Sequence, residues 1–120
     1  MSGFKSGKDK RAVSKYTDIG EIKISLGSIE SIALRASKKV KGIHETKANV
    51  FKMDQNVSIT VRMEVLPDVN IPALSEEMQS VVKKAVESSS GIMVSDVKVV
   101  VENISSQDSQ KPVVDYISRT

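Results

Sequence analysis

The stretch that decides the fold is "MEVLPDVNIPALSEEMQSVVKKAVESSSGI", residues 63–92. It passes from a strand-like alternation, through a break at Pro67-Asp68, into a long segment with helical apolar spacing that stops at Gly91. Pro72 stands where a proline costs least, in the first helical turn, whose amides have no partner within the helix. Asn70 or Ile71 is then the cap. Ile71, Leu74, Met78, Val81, Val82 and Ala85 fall on one face. Glu76 and Glu77 come early and Lys83 and Lys84 later, as the helix dipole favours.

Upstream of the break, Val57 to Leu66 is the clearest strand of the chain. Val57, Ile59, Val61, Met63 and Val65 alternate with Ser58, Thr60, Arg62 and Glu64, so one face is apolar and the other wet. Asp54 to Asn56 are turn formers, and "HETKANVFKM" before them alternates as well, which predicts a hairpin. Earlier still, "GEIKIS" (residues 20–25) reads as a half-buried strand. Ser25 caps a helix carrying Ile29, Ile32, Ala33, Ala36 and Val40, which Gly42 closes. Downstream of Gly91, Asp96 to Ile104 is a last strand.

The order is β-α-β-β-α-β, and "KGIHETKANV" and "SGIMVSDVKV" echo one another. The expectation is an α+β two-layer sandwich with two helices on one face of a four-stranded sheet. Residues 1–19 read as a basic flexible arm, 20–104 as the domain, and 105–120 as a flexible C-terminal tail.

Composition narrows the chemistry. The 120 residues contain no Cys, one His and 3% aromatics. One domain of this length buries roughly two thirds of its unfolded surface without staples. No run of about 18 apolar residues is present, as a membrane-crossing helix would require. A His- or Cys-based metal site has too few such ligands. His44 has no nucleophile-elbow pattern to serve, and its plain reading is a surface residue after a helix end. No phosphate-binding glycine motif occurs. Glu76-Glu77, and Glu21, Glu45 and Glu64 across strands, read as solvated carboxylates rather than acid/base pairs. No enzyme, cofactor or small-molecule substrate is indicated.

The formal net charge of +3 is unevenly placed. Lys5, Lys8, Lys10, Arg11 and Lys15 against Asp9 give residues 1–15 a charge of +4, which leaves residues 16–120 at −1. Such an arm suits an anionic membrane surface or another polyanion. The alternative is a small nucleic-acid-binding protein acting through that arm. Aromatic platforms on the central strands and a G-x-x-G between helices are both missing, so any such binding would be weak, salt-sensitive and sequence-independent.

"GEIKISLGSIESIALRASKKVKGI" and "VNIPALSEEMQSVVKKAVESSSGIMVSDVKVVVENI" resemble the alkaline shock protein family of small general-stress proteins of Gram-positive bacteria, over about Gly20 to Ile104. The motif residues are Gly42, Ile43, Asn70, Ile71, Pro72 and Gly91. Within that family, "ISLGSIESIALRASKKVKGI" and "MEVLPDVNIPALSEEMQ" look like membrane-anchored members, in which two transmembrane helices precede the domain. Those helices are missing from this sequence, so the resemblance implies either the soluble segment of an anchored protein or a free paralogue. It further implies a non-enzymatic interaction domain of the cell-envelope stress response. Its partners would be itself or alkaline-shock paralogues, at the cytoplasmic face of the membrane or, for a free paralogue, in the cytoplasm. Glu76, Glu77, Lys83 and Lys84, with the edge strands, are the candidate partner surface.

Overall fold

The computed structural model describes residues 11–105. Their order is β1 (Ala12–Thr17), β2 (Gly20–Ser25), α1 (Leu26–Ser37), β3 (Ile43–Met53), β4 (Asn56–Val65), α2 (Ile71–Ser90) and β5 (Val94–Ile104). Strand β4 is central, with β3 antiparallel on one side and β5 parallel on the other. α1 lies over β3 and α2 over β5.

The core follows from period-2 alternation in β4. Val57, Ile59, Val61, Met63 and Val65 are all buried, and in register beside them stand Val50 on β3 and Val97 on β5. Ile29 and Ala33 of α1 and Leu74, Met78, Val82 and Val86 of α2 close the layer. The α2 positions repeat at four-residue steps, the stripe that faces a sheet. Ser37, buried among them, donates from Oγ to Leu34 O at 2.7 Å and shares a hydrogen bond with Thr46 Oγ1 at 2.7 Å, so its polar atom is not left unpaired.

The resemblance residues have local jobs. Asn70 is the N-cap of α2 and accepts from Ala73 N at 3.0 Å, with Pro72 in the first turn. Gly91 takes the left-handed conformation (φ 75°) and its N–H returns to Glu87 O at 2.9 Å. Gly42 also has positive φ (94°), and a Cβ there would lie 3.1 Å from Val69 Cγ1.

Three sequence expectations change. The single four-stranded sheet is replaced by five strands in two sheets, a β1–β2 hairpin and the three-stranded β3-β4-β5 sheet. Residues 12–17, assigned to the arm, form β1 and pair fully with β2 from Ala12↔Ser25 to Thr17↔Gly20. The first helix ends at Ser37 rather than at Gly42, which lies in the turn that follows. Residues 1–10 and 106–120 lie outside the described residues.

Both edges of the large sheet explain why β2 is not its fourth strand. On β3, Glu30 of α1 accepts from Val50 N at 3.2 Å. On β5, three α2 side chains at four-residue steps reach the backbone. Gln79 Nε2 donates to Val97 O at 3.0 Å, Lys83 Nζ to Val94 O at 3.2 Å, and Glu87 Oε2 accepts from Val94 N at 2.9 Å. These side chains occupy edge groups that another strand would need, and β2 finds its partner in β1.

Gly42→Ala is expected to destabilise the domain by about 1–2 kcal/mol, because an L side chain is strained at that φ and meets Val69. Met78→Ala should cost about 2–5 kcal/mol through a core cavity. Urea unfolding measures both, and a Gly42→Ala variant as stable as the parent would refute the strain argument.

Candidate interaction surface and the bulged end of the sheet

The β1–β2 hairpin projects from the core. Its two-residue turn, Asp18-Ile19, is tied by Ile19 N donating to Thr17 Oγ1 at 3.3 Å. One face holds Val13↔Ile24 and then Lys15↔Ile22. At the root Val13 is fully buried, but further out Ile22 is 48% and Ile19 at the tip 96% exposed. The core face of the hairpin thus continues past the core, with the Lys15 stem against Gly91 and with Ile22 and Ile19 exposed among the described residues. Tyr16, on the opposite face, is 68% exposed. Sequence reading missed Tyr16 and Ile19 because the preceding lysines made the segment look like a tail. The available signal was the pair of alternating runs "AVSKYT" and "GEIKIS" around a two-residue turn.

Of the five basic candidates, Lys5, Lys8 and Lys10 lie outside the described residues. Arg11 is exposed immediately before β1. Lys15 belongs to the hairpin, and its stem lies against Gly91, with Cε 3.0 Å from where a Cβ on that glycine would be. The second group also divides. Glu76, Glu77 and Lys84 are exposed on α2, whereas Lys83 bonds to Glu87 Oε2 at 2.8 Å and to the β5 backbone. That hydrogen bond from Lys83, together with the one from Val94 N, holds the Glu87 carboxyl below its ordinary pKa.

At the far end of the sheet the ladder is irregular on both sides of Glu64. Ile43 pairs with Val65 and Glu45 with Glu64, so His44 is an extra residue on β3. On β5, Val101 pairs with Met63 and Asn103 with Glu64, which leaves Glu102 extra. A bulge sets two residues against one, and here the donor atoms of His44, Glu45 and Glu64 all lie within 4.8 Å of one another. Asn103 Nδ2 donates to Glu64 Oε2 at 3.3 Å, and Arg62 is 3.8 Å from Glu102. An open groove of about 320 Å³ runs past Glu45, Glu64 and Glu102. Among the described residues His44 makes no hydrogen bond to a hydroxyl.

The class so defined is a small α+β domain whose distinctive features lie on its surface rather than in an enclosed cleft. Residues 48–106 match the model of the alkaline shock protein 23 family, described as having a cell envelope-related function, which supports the resemblance to the alkaline shock protein family. No curated protein matches it significantly. Among solved structures, two variants of the MamM C-terminal domain align with TM-scores of 0.49, at 15% and 17% identity, over 64% of this chain and 95% and 93% of theirs. A likeness at this level says nothing of function. No described helix is long and apolar enough to cross a membrane.

The Glu87 contacts make a pH prediction. A carboxyl whose folded-state pKa is lowered contributes stability above its unfolded value, near 4.3, and loses it as pH falls through the lowered one. Glu87→Gln should therefore be less stable than the parent at pH 7, and the gap should narrow as pH falls below about 4.3. Urea midpoints across pH 3–7 test this, and a gap that stays constant would sink it.

Proposed function

We propose that this chain is a non-enzymatic interaction domain that works at the cytoplasmic face of the cell membrane in the envelope stress response. It associates with further copies of this fold, its own or those of family members. The family's cell envelope-related function supports the setting. The observation that carries the reading is the hairpin whose apolar face runs from buried Val13 to exposed Ile22 and Ile19.

The physical case is one of unspent apolar surface. Burial of apolar area stabilises by about 25 cal/mol per Å², and a hairpin that projects beyond its core leaves that gain unused. A second copy of the same fold supplies a matching apolar face, and a twofold contact between hairpins uses one patch twice. The basic residues preceding β1 fit the same geometry. Arg11 stands immediately before β1 at the hairpin root, and each basic residue contributes about 1 kcal/mol of attraction when held near anionic headgroups.

Sedimentation velocity over a range of concentrations tests the association. The parent chain is expected to self-associate, and Ile19→Asp with Ile22→Asp should weaken this at least tenfold while leaving the circular dichroism unchanged. A parent that stays monomeric, alone and mixed with a family member, would overturn the reading. Phosphatidylglycerol vesicles test the membrane contact. Co-sedimentation should fall steeply between 50 and about 300 mM salt as the Debye length shortens, and retention that ignores salt would contradict it.

A further inference from the structure

We infer that His44, Glu45 and Glu64 form a binding site for one divalent transition-metal ion. The site is independent of the association surface and lies at the other functional feature of the fold, the bulged end of the sheet.

The first argument is geometric. The imidazole and the two carboxylates already have donor atoms within 4.8 Å of one another. Ligands on a dication at about 2.1 Å stand roughly 3.0–3.5 Å apart. Closing that gap takes little more than about 1 Å of movement, which exposed side chains make by torsion alone. A regular strand would point His44 and Glu45 to opposite faces of the sheet. The extra residue in β3 is what sets both against Glu64.

The second argument is electrostatic. Glu45 and Glu64 are direct cross-strand partners, and like charges directly opposite one another destabilise a sheet. Neither carboxylate forms an ion pair with a described residue. Arg62 is turned to Glu102 at 3.8 Å, and Lys47 pairs with Arg62 one step along the ladder. A cation held between Glu45 and Glu64 removes the repulsion. Asn103, donating to Glu64 at 3.3 Å, orients one ligand as an outer partner does in metal sites.

The donor set selects the ion. One imidazole nitrogen with two carboxylates suits zinc, cobalt or nickel, whereas magnesium and calcium prefer all-oxygen shells. Three protein ligands leave coordination positions open toward the groove for water or for a partner's side chain.

The test uses the full untagged chain, stripped with chelator and titrated with zinc chloride in a calorimeter. One equivalent is expected to bind at micromolar Kd. His44→Ala and Glu64→Gln should each weaken binding at least tenfold, and Glu76→Gln should leave it unchanged. Since His44 is the sole histidine, its ring protons give a direct NMR readout that does not depend on any variant folding. Zinc should shift them stoichiometrically and magnesium should not. A His44 resonance that ignores zinc would overturn the proposal. Zinc binding retained in both variants would overturn it equally.

Discussion

Strands β4 and β5 run in the same direction, and most of the architecture follows from that. A parallel pair cannot be closed by a tight turn, so the chain must travel back the length of the sheet before β5 can begin. The 20 residues of α2 do this, spanning about 30 Å. To cover that distance without exposing an apolar stripe, the helix lays Leu74, Met78, Val82 and Val86 on the sheet. The same crossing places Gln79, Lys83 and Glu87 beside β5, where they bond to its backbone. A helix introduced to solve a connection problem thereby closes a sheet edge.

Edge closure then constrains what the rest of the chain can do. Glu30 contributes the corresponding contact at β3, so strand addition at these positions would first have to displace side chains. Strand β2 is left to pair with β1, and the resulting hairpin is rooted in the core only through Ala12, Val13 and, in part, Ile24. The helix-free face of the sheet is left for polar chemistry, and its two bulges gather His44, Glu45 and Glu64 at one end. The exposed apolar surface and the candidate metal ligands therefore occupy separate places.

Legibility in the sequence tracked how local each determinant is. Strand β4 was readable because all five of its alternate apolar residues are buried. α2 was readable because Asn70, Pro72 and Gly91 act on their own helix ends. β1 was missed because lysines weigh heavily in composition, although Val13, Lys15 and Thr17 share one face and only the first is buried. The end of α1 was missed because the backbone tightens after Ser37, with Lys39 N bonding to Ala36 O and Val40 N to Ser37 O, a turn that the apolar spacing out to Val40 does not reveal. The cluster of His44, Glu45 and Glu64 could not be read at all. Counting His and Cys alone found too few ligands, and the register shift that unites His44 with Glu45 and Glu64 is a property of paired strands.

The extent of the family match has a physical sense in this light. It covers residues 48–106, which run from the second half of β3 through β4 and α2 to the end of β5. That segment holds the parallel pair, its crossover helix and the α2 side chains that close the β5 edge. The hairpin, α1, His44 and Glu45 lie outside it. In this scaffold the edge groups of Val50, Val94 and Val97 are already taken by helix side chains, so a strand adding there would first have to displace them. Elements hung on it can vary with little cost to the core. The hairpin fits that role, because its outer half contributes almost nothing to the buried layer, and substitutions at Ile19 or Ile22 can alter what it meets without loosening what holds it.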